Sequence, residues 1–279
     1  MEFLKIDKTK CKKDGICARE CPGFLISLQT DNGYPAIIPN GARACNRCGH
    51  CVAACRHGAL IHSAIPIEDC PSIKSELSIN EQQATQFLRS RRSIRDYKDR
   101  LVEKEKITKL IEIARYAPTG GNGQLVEWLV VTDKTRMKKI SGLAVDHIRR
   151  DIRENPQTLE LQPYLPQIVK AWDAGYDIIL RSAPVLVVAS APREAPNGMV
   201  DLTIALSYLD LVAPTMNLGT CWAGLLQHAL VSSPSLRAFL GLPPEYPYHY
   251  PMMLGYPKAK YYRLPGRKPP KIIFDMEKE

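Results

Sequence analysis

The chain has 279 residues, 45% hydrophobic and 24% charged, the ordinary balance of a globular protein with room for one or two domains. Its net charge of +9 comes from Lys and Arg scattered along the chain, with no zinc-finger spacing, so nucleic-acid binding is not expected. No run approaches ~18 consecutive apolar residues and the start, MEFLKIDKTKCKKDG, has no apolar signal core, so no membrane span is expected and the cytoplasm is the expected location.

Seven of the nine cysteines fall within the first 55 residues. In a reducing compartment so dense a cluster points to metal ligation rather than disulfides. The first motif reads Cys11-x2-Asp14-x2-Cys17-x3-Cys21-Pro22, and the second Cys45-x2-Cys48-x2-Cys51-x3-Cys55. Three thiolates at every third residue of a tight turn converge on one face of an iron–sulfur cubane, and a displaced fourth reaches a second cluster. Zinc sites favour paired C-x2-C elements separated by a dozen or more residues, a poorer fit. Asp14 stands where a second cysteine would be, either as a ligand or as the first half of an Asp-Gly turn with Gly15. His50 and His57 read as neighbours of ligands, and Cys70 and Cys221 as small apolar residues, the latter in an apolar loop.

Over about sixty residues this region resembles the bacterial two-cluster ferredoxins. The resemblance implies two [4Fe–4S] clusters. Cys21, Cys45, Cys48 and Cys51 would hold one. Cys11, Cys17, Cys55 and Asp14 would hold the other. A carboxylate is a harder, more weakly held ligand than thiolate, so the Asp14 cluster is expected to lose iron toward [3Fe–4S] more readily.

Residues 1–63 thus read as an iron–sulfur domain, 64–80 as a linker with two prolines, and 81–279 as a second domain. Asn80 and Gln83 form a capping-box pattern ahead of a helix marked by Ala84, Phe87 and Leu88. A second helix is predicted over 103–116, with Ile107, Leu110, Ile111 and Ala114 inward. Strands are predicted at 128–133, 183–192 and 250–257, a basic helix at 134–153 and an apolar one at 199–217. Residues 155–167, with three prolines, read as an irregular excursion. Mixed helices and strands predict an α+β or α/β layer fold.

Four pieces of the second domain carry chemistry. The run Arg89–Arg95 offers guanidinium forks and the Ser93 hydroxyl, suited to a phosphate, although a solvated basic helix end has the same composition. The loop Ala117–Gln124 combines glycines that allow close backbone approach with the amides of Asn122 and Gln124. The third piece is Gly219–Leu225 and the fourth Gly255-Tyr256-Pro257 with Lys260, Arg263 and Arg267. No G-x-G-x-x-G follows a strand and there is no Walker lysine, so no dinucleotide-binding Rossmann domain is expected.

In this order, over roughly residues 85–270, the pieces resemble the nitroreductase family. The resemblance implies an α+β fold around a central, mainly antiparallel sheet, a homodimer and FMN at the dimer interface. Arg91, Arg92, Ser93 and Arg95 would contact the FMN phosphate, ribityl chain and ring edge, and Arg263 or Arg267 would complete the phosphate clamp. Asn122 and Gln124, with the backbone of Pro118, Thr119, Gly120 and Gly121, would reach the flavin from the other subunit. Cys221, Trp222, Ala223 and Gly224 would lie beside the isoalloxazine near N5. Where the family often has a Gln-Pro-Trp run after this asparagine, Gln124 is followed here by Leu125-Val126-Glu127-Trp128.

The expected activity is that of an oxidoreductase taking electrons from iron–sulfur clusters through FMN to a small electron-poor acceptor, a nitroaromatic or quinone. An external ferredoxin or NAD(P)H would be the donor. Other reductive or dehydrogenating chemistry on the same fold, or a non-catalytic electron carrier or redox sensor, are the alternatives. No side chain stands out as an obligatory catalytic acid or base.

Overall fold

Frequent glycine and proline limit the N-terminal region to strands and helices of three or four residues. The computed structural model describes residues 2–275, packed as two units. The first runs to Ile79 and takes in Pro118–Leu125 and Ala195–Asn197; the second holds Asn80–Ala117, Val126–Glu194 and the chain from Gly198.

In the first unit the elements are β1 (Leu4–Ile6), α1 (Ile16–Arg19), β2 (Ile26–Leu28), β3 (Pro35–Ile37), α2 (Gly41–Ala44), α3 (His50–Ala53) and β4 (Leu60–His62). Two antiparallel pairs form, β1 with β4 and β2 with β3, in the registers Leu4↔His62 and Ile26↔Ile37. Gly15 and Gly49 precede α1 and α3 at φ 70° and 78°, a left-handed turn that glycine adopts without strain. The buried core is small: Leu4, Cys17, Ile26, Val52 and Leu60.

The second unit opens with α4 (Glu81–Ser90), where both hydrogen bonds of the predicted capping box form, Gln83 N–H to Asn80 Oδ1 at 2.9 Å and Asn80 N–H to Gln83 Oε1 at 3.0 Å. Then follow α5 (Lys104–Ala114), β5 (Glu127–Val131), α6 (Lys134–Glu154), α7 (Pro156–Leu161) and α8 (Leu165–Asp173). β6 (Val185–Ala191), α9 (Gly198–Val212), β7 (Gly219–Trp222), α10 (Gly224–Ser232), α11 (Pro234–Leu240) and β8 (Tyr248–Gly255) complete it. The sheet runs β5-β6-β8-β7 with every pairing antiparallel. β6 is buried on both faces, which explains its unbroken apolar sequence. Leu186 and Val188 pack into the core shared with α6, α8, α10 and α11, while α9 crosses the sheet and contacts α5.

Three sequence expectations are corrected. The 155–167 stretch is largely helical: Pro156 begins α7 and Pro166 falls in the first turn of α8, where a missing N–H breaks no helical bond. Cys221 lies in a strand, β7, not in a loop; four residues beginning with glycine show no readable alternation. The apolar helix is shorter than expected, since Pro214 turns its end into a 3₁₀ segment, Ala213–Met216. Gly198–Met216, with mean hydropathy 1.3 over its most apolar window, would pass for a membrane span by length and composition. In this fold it packs on β6, β8 and α5 and buries the carboxylates of Asp201 and Asp210.

Gly219 begins β7 because nothing larger fits: an added Cβ would stand 2.3 Å from Ile94 Cγ1. Gly219→Ala is expected to lower stability by about 2 kcal/mol in urea denaturation, the usual scale for overpacking. Combining it with Ile94→Ala should give a loss smaller than the sum of the two single losses.

Candidate functional site

The eight predicted metal-ligating residues fall around two cavities of the first unit. Cys21, Cys45, Cys48 and Cys51 line one of about 190 Å³. Cys11, Asp14, Cys17 and Cys55, with His57 beside them, line a much narrower one of about 10 Å³. Each cavity thus receives three donors from one motif and the last cysteine of the other. The thiols feel one another in the same grouping. Burial, reinforced by the charges of Cys48, Cys21 and Cys45, pushes the Cys51 thiol up to about 11. Burial raises Cys17 too, with Cys55 and Cys11 adding to it. Among the described residues, no three of His, Cys, Asp or Glu are gathered closely enough to hold a single metal ion.

Backbone amides aim at several of these sulfurs. Leu25 N–H donates to Cys21 Sγ at 3.3 Å, Arg47 N–H to Cys45 Sγ at 3.4 Å and Ala59 N–H to Cys55 Sγ at 3.3 Å. His62, which sequence reasoning passed over, is 4% exposed, with Nε2 3.8 Å from Cys45 Sγ. Its Nδ1 accepts the Ala64 N–H at 3.1 Å, so in the neutral ring the proton sits on Nε2 and faces the sulfur. Burial, then the charge of Arg47, lowers the His62 pKa and favours that neutral ring. Asp14 Oδ1 accepts the Ile16 N–H at 3.1 Å, so the carboxylate shapes the turn into α1 while lining the second cavity. His50 is exposed and lines neither cavity.

In the second unit the run that follows α4 is extended and lies along β7, held by Ile94 N–H to Thr220 O at 2.8 Å. Its centre is a carboxylate that the sequence reading missed, Asp210 of α9, 4% exposed. Asp210 Oδ2 accepts from Arg91 Nη1 at 3.4 Å and from Trp222 Nε1 at 3.2 Å, and Oδ1 accepts from the Thr220 hydroxyl. The available signal was a charged residue on the inward stripe of an apolar helix. The buried Cys221 thiol is raised by burial, while the guanidinium charges of Arg95 and Arg181 and the Ser93 side chain act against that rise. Ser93, Arg95, Arg181 and Cys221 are therefore neighbours, with Arg181 an addition to the predicted set. Burial likewise raises the Tyr97 hydroxyl, which donates to Ile94 O at 2.6 Å. Trp222 packs edge-on against Tyr250 at 5.1 Å, Ala223 is buried, and Gly224 begins α10.

Arg92 turns to an open cavity of about 720 Å³ that it shares with Lys98, Arg100, Lys106, Lys258 and Lys260 over a floor of Tyr256 and Pro257. Glu103 pairs with Arg100 and Lys106 at 2.8 and 3.7 Å, and Asp96 with Lys258 at 3.0 Å. Arg92, Lys98 and Lys260 have no carboxylate partner among the described residues, and Arg92 Nε is buried without a hydrogen bond. The site therefore holds surplus positive charge and an unsatisfied buried donor, as an anionic group requires. Arg263 and Arg267 are exposed in the irregular tail, with no ion pair or hydrogen bond among the described residues. The tail contributes Lys260 and Tyr261 to the cavity.

The loop Pro118–Gln124 packs within the first unit. Thr119 Oγ1 accepts the Gln124 N–H at 3.0 Å, and Asn197 Nδ2 lies 3.0 Å from where a Cβ on Gly120 would stand. Gly121 (φ 59°) and Asn122 (φ 58°) turn the chain so that Asn122 Nδ2 donates to Asn46 O at 3.0 Å and Arg47 O at 3.2 Å.

Asp210→Ala would leave Arg91 and the Trp222 indole facing a void. A loss of about 2 kcal/mol is expected in thermal or urea unfolding, reduced from the fully buried case because Arg91 is 30% exposed. Asp210→Asn keeps an acceptor for Trp222 and Arg91 and a donor for Thr220, and should lose less than half as much.

Residues 88–256 match the model of the Nitroreductase family. A putative NADH dehydrogenase/NAD(P)H nitroreductase of Archaeoglobus fulgidus is 26% identical over 181 residues, 63% of this chain and 87% of that protein. An FMN reductase [NAD(P)H] of Bacillus subtilis is 47% identical over 57 residues, 20% of this chain and 23% of that protein. The fold is similar to that of a nitroreductase with bound FMN from Bacteroides fragilis, with a TM-score of 0.58 at 19% identity, covering 71% of this chain and all of that one. With more than half of its length matched by the family model, the α+β sheet arrangement in agreement and the arginine run inside the match, the chain belongs to the nitroreductase family.

Proposed function

We propose that this nitroreductase-family chain is an FMN-dependent oxidoreductase whose first unit carries two iron–sulfur clusters, and that it reduces a small electron-poor acceptor such as a nitroaromatic or quinone. The observation that carries the reading is the crosswise partition of eight donors into two cavities, Cys21 with Cys45, Cys48 and Cys51, and Cys55 with Cys11, Asp14 and Cys17. That exchange of the last cysteine is the arrangement of two-cluster sites. Thiols spread around a cavity, with no single-ion grouping among the described residues, suit a polynuclear cluster better than zinc. The 190 Å³ cavity and its four thiols, set in a mostly apolar lining, fit a cubane; at the narrow second cavity the fit rests on the donor set alone. Clusters handle single electrons, and flavin converts single electrons into the pairs that such an acceptor takes.

The residues of the second unit fit FMN. Arg92, with its buried unsatisfied Nε, and Lys260 would bind the phosphate in the basic cavity. Asp210 fixes Arg91 and the Trp222 ring, which orients the run and β7 as one surface. Arg95 and Arg181 place positive charge beside Cys221, where a ring that gains negative charge on reduction would be stabilised. NAD(P)H, named in the A. fulgidus and B. subtilis relatives, or a ferredoxin would serve as donor. A second copy of the chain would cover the apolar side of α9, where Val200 is 56% and Tyr208 38% exposed.

Anaerobically purified protein should show broad cluster absorption, matching amounts of iron and acid-labile sulfide, and acid-released FMN near one per chain. Iron-free protein after reconstitution would remove the clusters from this reading, and failure to take up FMN would remove the flavin. Cys48→Ala should lower iron by about half, since only one cluster loses a ligand. Arg92→Ala and Lys260→Ala should each weaken FMN binding by roughly 10- to 100-fold, the value of one charge-assisted hydrogen bond, as measured by fluorescence on release of flavin.

A further inference from the structure

Between Cys45 and Cys48 the chain must turn sharply, and Arg47 sits there at φ 55°, a left-handed conformation unusual for a long side chain. Two peptide groups make this turn. The Asn46–Arg47 peptide sends its N–H to Cys45 Sγ at 3.4 Å and its carbonyl, on the opposite edge of the same plane, to Asn122 Nδ2 at 3.0 Å. The Arg47–Cys48 peptide sends its N–H to Asn46 Oδ1 at 3.3 Å and its carbonyl to the same Asn122 nitrogen at 3.2 Å. Asn122 is itself in a left-handed conformation, φ 58°, which asparagine tolerates better than most residues and which directs its amide at the turn. All of these groups belong to the first unit.

We infer that Asn122 is a positioning residue for the cluster held by Cys21, Cys45, Cys48 and Cys51, orienting the Asn46–Arg47 peptide so that its N–H stays aimed at Cys45 sulfur. This rests on the cluster reading above and gives Asn122 a task in the first unit. In a planar trans peptide the carbonyl and N–H point in opposite directions, so a donor holding the carbonyl also fixes the aim of the N–H. A hydrogen bond to a ligand sulfur stabilises the more negative, reduced state of a cluster and raises its potential. Losing the clamp lets the peptide rotate toward solvent, and the cluster becomes harder to reduce.

The test uses the full holoprotein, with potentiometry followed by electron paramagnetic resonance. Asn122→Asp keeps the shape and the left-handed tolerance but cannot donate, and its charge repels the two carbonyls. Asn122→Gly removes the side chain and keeps the backbone relaxed. Both should shift the midpoint potential of one cluster to more negative values and alter its signal, with the larger shift in Asn122→Asp. The signal of the cluster near Asp14 should stay as in the wild type. Unmoved potentials for both clusters in both variants, or loss of FMN with unmoved potentials, would overturn the inference while leaving the clusters in place. An iron-free wild type after reconstitution would overturn the cluster reading itself, and this inference with it.

Discussion

Four thiols of the first unit line a common cavity, and much of the unit's architecture follows from them. The apolar core beside them is only Leu4, Cys17, Ile26, Val52 and Leu60, and all nine cysteines are free rather than disulfide-bonded. Units of this size, with so little buried apolar surface, usually need a staple beyond hydrophobic burial. Here the candidate staple is the group that would fill the thiol-lined cavities, since Cys21 after α1, Cys45 and Cys48 between α2 and α3, and Cys51 on α3 would be tied together by one cluster. The burial that raises Cys51, reinforced by the charges of Cys48, Cys21 and Cys45, is the electrostatic mark of this arrangement: thiols are buried and crowded where only a cationic centre makes their ionisation favourable.

The second unit solves a related problem in the opposite way. A buried carboxylate, Asp210, would be costly on a helix as apolar as α9, and it is matched by three donors from two other segments. Because those donors lie in the arginine run and in β7, satisfying one buried charge aligns the segments that carry Arg91, Ser93, Arg95 and Cys221. Gly219 permits the same contact from the other side by admitting Ile94 where any Cβ would collide. Charge not absorbed in this way accumulates around Arg92, Lys98 and Lys260, leaving a basic cavity suited to an anionic cofactor end.

The grouping of the cysteines, the capping box at Asn80 and the buried strand β6 were legible because each depends on residues close in sequence or on a run of one character. Three-residue turns bring thiols together wherever they occur, and Gln83 reaches Asn80 in any helix that starts there. The helices α7 and α8 were obscured by prolines that tolerate first turns as readily as they break later ones. β7 was hidden because four residues cannot display a period.

By itself, the sequence determined the cysteine spacing, the family resemblance and the longer helices and strands of the second unit, all of which are written in local spacing. Tertiary structure decided the partners across distance. It paired Asp210 with Arg91, 119 positions apart, set His62 against Cys45, and brought the Asn122 amide to the carbonyls of Asn46 and Arg47, 76 and 75 positions away. The physical reason is that buried polar groups must find partners somewhere, and only the folded chain specifies which distant segment supplies them.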